Sequence, residues 1–162
     1  MDEGLSSYLP LQAIEALAAM PYGWLIVPLA ICLLTASVVT FSVPGTFTPV
    51  AFLGGALLGI PAILVVALGA ALGSHFLFVA SRYWLRGYMD RKFGHRIEPI
   101  QSHLAKRGPL YVIGLRFGGT PHIALTAACA ATPISARQFG IATLIGMTPA
   151  IVLGSMAGHA II

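Results

Sequence analysis

Two Thr-Pro pairs and one arginine are the features of this sequence best suited to hold an anion. The pairs are Thr48–Pro49 and Thr120–Pro121, and Arg116 lies four residues before the second pair. Thr is a favourable N-cap and Pro a favourable first helical residue, so each pair predicts a helix start. A helix start presents unpaired N–H groups and the positive end of the helix dipole. Two such starts beside a guanidinium, which binds phosphate bidentately, therefore predict an anion site.

The composition places this site in a membrane. Of 162 residues, 57% are hydrophobic and only 9% are charged, against about 25% charged in soluble domains. A soluble enzyme, a disordered tail and a disulfide-stapled secreted domain are excluded. The stretch 16–81 contains no Asp, Glu, Lys or Arg, which is too long for one crossing of about 20 residues. The sequence predicts an all-α polytopic membrane protein with a single membrane domain over 1–162.

Prolines and glycines divide the apolar stretches into spans and shorter limbs. We predict a first re-entrant hairpin over 24–60 and a second over 108–132, because their apolar limbs include runs too short to cross. Each hairpin precedes one transmembrane helix, over 61–83 and 133–162. Irregular backbone inside a membrane must be buried in protein or line a cavity. The breaks of the hairpins are therefore expected beside a cavity.

An internal repeat supports two equivalent units. The pattern T-P-x3-L-x2-A-x4-P occurs at 48–61 and again at 120–133. One crossing separates the copies, so they are expected to be inverted in the membrane, as in many transporters. Convergent small-residue packing between helices is the alternative explanation.

The basic residues indicate orientation. Seven of the nine Lys and Arg lie in 82–107, so this loop is expected to be cytoplasmic, with an interfacial loop or helix over 84–107. The net charge of +4 is explained by this loop, and no nucleic-acid partner is expected. The hairpin topology puts the acidic N-terminus outside and is favoured. A full crossing by residues 24–43 fits the length of that run and puts it inside.

Several polar residues have two interpretations each. Arg116 either binds a lipid phosphate or caps carbonyls at the hairpin turn, and both roles can hold together. Arg82 snorkels to the interface or gates lipid entry. His75 and His122 are expected at membrane depth, as neutral histidines with one hydrogen bond or as a proton relay.

Catalytic chemistry is not expected. The sequence has no P-loop, dinucleotide fingerprint or HExxH motif and no pair of membrane-embedded carboxylates. Neither a catalytic residue nor a metal or cofactor is therefore predicted. The GxxxG pairs Gly69–Gly73 and Gly154–Gly158 are expected to pack helices within the chain more readily than to form a dimer.

The order of these motifs resembles the DedA-like, VTT-domain (SNARE-associated) membrane family. The first half matches through the Pro44–Gly45 turn, a series of glycines and Arg82. The second half matches through Arg116, Pro121 and further residues of the last span, namely Phe139 and Gly146–Pro149. The sequence departs from the family pattern at Gly119, where the family has Pro, at Thr126, where it has Asn, and at Ala130, where it has Gly.

The resemblance implies lipid transport. We expect a scramblase- or flippase-like protein that moves phosphate-bearing lipids between leaflets without ATP, in a bacterial inner membrane. Membrane lipids are the expected partners, and a homo-oligomer is possible. A transporter of a small anion and a non-transporting membrane scaffold core are the alternatives. The candidate substrate-binding residues are Arg116, Thr120, Pro121, Thr126, Pro44, Gly45, Thr48, Pro49 and Arg82.

Overall fold

A computed structural model describes residues 21–84, 87–88, 91, 102–104, 106–117 and 121–161. These residues contain helices and no strand. In chain order the helices are α1 (Gly23–Phe41), α2 (Phe47–Leu58), α3 (Ala62–Tyr83), α4 (Pro109–Phe117), α5 (His122–Ala130) and α6 (Ala136–His159). The expected interfacial helix of the basic loop lies mostly outside the described residues.

Three of the helices are long and apolar enough to cross a membrane. They are α1, α3 and α6, with 19, 22 and 24 residues. The chain is therefore an all-helical membrane protein, and α3 and α6 coincide with the two spans expected at 61–83 and 133–162. The 12 residues of α2 rise only about 18 Å. The length of α1 suits the full crossing that the sequence left open for residues 24–43, and the re-entrant hairpins stay predictions.

The residues that cap α2 and α5 differ from the two Thr residues expected from the Thr-Pro pairs. The N-cap role expected for Thr48 is wrong, because α2 begins at Phe47 and Thr46 occupies the cap. The Thr46 hydroxyl donates to the carbonyl oxygen of Val43 at 2.8 Å, and Gly45 has a φ of +80°, so the turn closes two residues early. At the second pair, Pro121 is itself the N-cap of α5, and Thr120 lies outside the described residues.

Glycines bring the helix backbones into contact. A Cβ on Gly69 would lie 2.5 Å from the carbonyl oxygen of Cys32, and one on Gly73 would overlap the carbonyl of Ala36, so α1 packs parallel to α3. On α6, a Cβ on Gly158 would overlap the carbonyl oxygen of Phe52, which places α2 along α6. Both GxxxG pairs therefore pack helices within one chain, as expected.

The long helices α3 and α6 run in opposite directions. Arg82, near the end of α3, contacts the carbonyl of Ile134 just before α6. At the other end, the His159 ring lies over Gly59, just before α3. Each half of the chain packs a short helix against the long helix of the other half. The helix α2 packs on α6, and α5 packs on α3. This arrangement brings the α1–α2 turn together with the end of α4 and the start of α5, beside the middle of α6.

Candidate functional site

A pocket of about 480 Å³ lies between the α1–α2 turn and the facing ends of α4 and α5. The first half of the chain contributes the end of α1, the turn after it and Phe47 at the start of α2. The second half contributes Arg116, the start of α5 and the middle of α6. The lining residues are Val38, Val39, Ser42, Val43, Pro44, Gly45, Phe47, Arg116, Pro121, His122, Ile123, Gly146, Met147 and Ala150. The amino ends of α2 and α5 thus border one cavity.

Arg116 is the charged residue of this lining. One terminal nitrogen, Nη1, hydrogen-bonds to Nδ1 of His122, and Nη2 donates to the buried hydroxyl of Thr143 at 3.4 Å. The Nε–H is buried and has no hydrogen-bond partner among the described residues. All five acidic residues of the chain lie outside the described ranges. Within the described part of the chain, the side chain is therefore held by neutral groups.

Gly146 and Phe139 position Arg116 against α6. A Cβ at Gly146 would lie 2.6 Å from Cβ of Arg116, so only glycine lets α4 approach α6 this closely. The guanidinium carbon lies 6.0 Å from the Phe139 ring centroid, within the range of a cation–π contact. Phe139 stacks in turn on Phe78 at 4.6 Å. These contacts hold the charge beside the middle of a membrane-length helix.

The structure brings together only some of the predicted site residues. Pro44, Gly45, Arg116 and Pro121 line the pocket. Thr48 and Pro49 are exposed on the first turn of α2 and are not among the lining residues. Thr126 is fully buried, and its hydroxyl donates to the carbonyl oxygen of His122 at 2.8 Å. Thr126 is therefore bonded to the backbone of its own helix and does not line the pocket.

Arg82 joins α3 to the segment between α5 and α6. Its Nε donates to the carbonyl oxygen of Ala130 at 3.0 Å, and Nη2 donates to those of Thr132 and Ile134 at 2.7 and 2.8 Å. The guanidinium also lies 4.5 Å from the centroid of Phe78. These contacts give Arg82 a structural role. Neither of the two roles expected from the sequence, snorkelling to the interface and gating of lipid entry, includes these contacts.

We expect Arg82→Ala to destabilise the fold. Three carbonyls lose a charged donor, and each such hydrogen bond contributes about 1.5 kcal/mol or more. A clear fall in the unfolding temperature in detergent, measured by the loss of monomer after heating, checks this. Arg137→Ala removes the same side chain from an exposed site on α6 and is expected to leave the unfolding temperature unchanged. Equal melting of the two variants would contradict the structural role.

Three polar residues at the site, Ser42, His122 and Thr143, were not selected from the sequence as binding residues. His122 follows the second Thr-Pro pair directly, so its position at a predicted helix start could have identified it as a candidate binding residue. Thr143 and Ser42 gave no such signal, because their approach depends on helix packing. His75 is exposed on α3 and lies outside the pocket, whereas the His122 ring lines the pocket and hydrogen-bonds to Arg116.

Fold and site together define a class: a polytopic helical membrane protein with a pocket lined by an arginine. The family model of the VTT domain matches residues 43–160. The chain belongs to this family, the DedA or SNARE-associated family. No curated protein and no solved structure gives a significant match. The described residues contain no cluster of His, Cys, Asp or Glu suited to a metal ion.

Proposed function

We propose that this protein moves phosphate-bearing lipids between the two leaflets of a membrane, with the headgroup passing through the Arg116 pocket. The observation that carries the proposal is a guanidinium held by neutral partners in a cavity beside the middle of α6. A charged Arg at the centre of a bilayer costs about 2.5–3.5 kcal/mol on insertion scales. A phosphate ligand offsets that cost, because it supplies the negative charge that the described partners lack.

The lining of the pocket suits a lipid better than a free ion. Apolar side chains such as Val38, Val43, Ile123 and Met147 surround the polar groups. An apolar wall favours acyl and glycerol carbons, while Arg116 and the amino ends of α2 and α5 favour the phosphate. We therefore favour lipid over a small inorganic anion as the substrate.

The depth of the pocket follows from its position along α6. Gly146, which contacts Arg116, lies ten residues after the start of α6 and thirteen before its end, or about 15 Å and 20 Å. If α6 spans the bilayer, the α1–α2 turn, the end of α4 and the start of α5 lie near its centre, as two inverted re-entrant units require. The antiparallel α3 and α6 support this topology, and we propose that the basic loop 82–107 faces the cytoplasm of a bacterial inner membrane.

Filling the pocket tests the proposal. Ala150 lines it and is exposed, so Ala150→Trp is expected to fold and to slow lipid transfer at least about tenfold, equal to about 1.4 kcal/mol of barrier. The measurement is dithionite bleaching of NBD-phosphatidylglycerol in reconstituted vesicles. The control, Ala157→Trp, places the same side chain two turns further on, at an exposed residue outside the lining, and is expected to transfer lipid normally.

The same vesicles separate the alternatives. Wild-type vesicles that bleach no faster than protein-free vesicles overturn lipid transfer. Flux of chloride or phosphate through them, in the absence of lipid transfer, supports the small-anion transporter instead. Equal loss in both tryptophan variants would show that the pocket is not the path.

A further inference from the structure

His122 and Arg116 form a polar pair whose protonation follows from their geometry. Nη1 of Arg116 hydrogen-bonds to Nδ1 of His122. A guanidinium only donates, so Nδ1 accepts and carries no proton. The single proton of the neutral imidazole therefore lies on Nε2, which makes Nε2–H a donor.

Two N–H groups of this pair find no acceptor among the residues that the structure describes. Nε of Arg116 and Nε2 of His122 are both buried, and neither has a hydrogen-bond partner within the described ranges. Buried donors without partners are rare in folded proteins, because each has lost water and gained nothing in return. Both residues line the pocket. Two unpaired donors on residues that contact each other match a ligand with several acceptor oxygens.

We propose that His122 is a second phosphate-binding residue, which donates its Nε2–H to one phosphate oxygen while Arg116 donates to another. The inference rests on the proposed function, and it adds a residue that selects phosphate over uncharged headgroups. The Thr126 hydroxyl donates to the carbonyl oxygen of His122 within the first turn of α5. His122 also orients the guanidinium through Nδ1, so the imidazole both binds the phosphate and positions Arg116.

Amide side chains separate these two roles. The amide of Asn reaches the place of the Nδ1 atom, whereas the amide nitrogen of Gln reaches the place of Nε2. His122→Asn therefore keeps an acceptor for Arg116 and loses the donor to the ligand. His122→Gln keeps the donor, and His122→Phe keeps a ring with neither function.

The transport experiment compares two labelled lipids in vesicles of phosphatidylethanolamine and phosphatidylglycerol. The wild-type protein is expected to transfer NBD-phosphatidylglycerol faster than NBD-glucosylceramide, which has no phosphate. His122→Asn and His122→Phe are expected to reduce that ratio about tenfold, the effect of about 1.4 kcal/mol, and His122→Gln is expected to retain most of it. A ratio unchanged in His122→Asn, or lost equally in His122→Gln, overturns the donor role.

A binding experiment in detergent is independent of transport, and it uses a variant only to assign the signal. In detergent, the ¹⁵N-histidine spectrum of the wild-type protein is expected to show the Nε2–H tautomer of His122, assigned by its loss in His122→Phe. Dihexanoyl-phosphatidylglycerol is expected to shift this signal, and dihexanoylglycerol is not. A shift with sodium phosphate alone supports the donor role and assigns the free anion as a ligand. An unmoved signal overturns the inference, whereas a shift without lipid transfer in vesicles overturns only the proposed function.

Discussion

Arg116→Ala is expected to slow the transfer of phosphatidylglycerol about 100-fold, which corresponds to about 2.7 kcal/mol. The size follows from the chemistry of the contact, because removing one partner of a buried, charged hydrogen-bonded pair costs about 2–5 kcal/mol. Arg116→Lys keeps the charge but not the planar fork, and its Nζ cannot donate to His122, Thr143 and a phosphate in the same geometry. We expect Lys to restore only part of the rate.

The unfolding temperature distinguishes binding from a purely structural role. Removing a desolvated charge from the bilayer interior relieves an insertion cost, so Arg116→Ala is expected to melt no earlier than the wild type. Arg137→Ala, which removes an exposed Arg from α6, is the matched control and is expected to keep both activity and stability. If Arg116→Ala unfolds early and transfers lipid at the wild-type rate, its main role is to hold the hairpin break.

Gly158→Val is expected to have the largest effect on folding. A Cβ at this site would overlap the carbonyl oxygen of Phe52 and lie 2.9 Å from the amide nitrogen of Ala56. Since these are backbone atoms, α2 and α6 must separate rather than repack. Overpacking of this kind costs about 3 kcal/mol or more. We expect a strong loss of monomeric protein in detergent, measured by size-exclusion fluorescence.

Gly140→Val is the control for this substitution. Gly140 lies on the same helix and has no neighbouring atom within 4 Å of a built Cβ. The two variants share the helix-propensity change from Gly to Val, so only the contact with α2 differs. Equal yields and unfolding temperatures would contradict the close packing of α2 on α6. Separation of these helices also moves Phe47 at the pocket, so residual Gly158→Val protein is expected to transfer lipid slowly.

The separate helices could be read from the sequence because each follows from local chemistry. The charge-free stretch 16–81 requires membrane burial, and the Gly59–Ile60–Pro61 break separates α2 from α3. The GxxxG pairs indicated where helices approach closely. The Thr48 cap was misplaced because a turn ending at Thr46 competes for the same backbone, and local propensity does not decide between two neighbouring starts.

The sequence by itself determined the membrane environment, the two long helices α3 and α6, the Pro- and Gly-rich breaks and Arg116 as the charge near one of them, since all of these follow from composition and short-range spacing. It left open whether residues 24–43 cross the membrane, and the length of α1 comes from the structure. Only the tertiary structure decided what that charge contacts. His122, Thr143 and Gly146 reach Arg116 because α4, α5 and α6 pack around it, and Arg82 meets three carbonyls about fifty residues away along the chain. Such partners depend on helix directions and crossing points, which hydropathy does not encode.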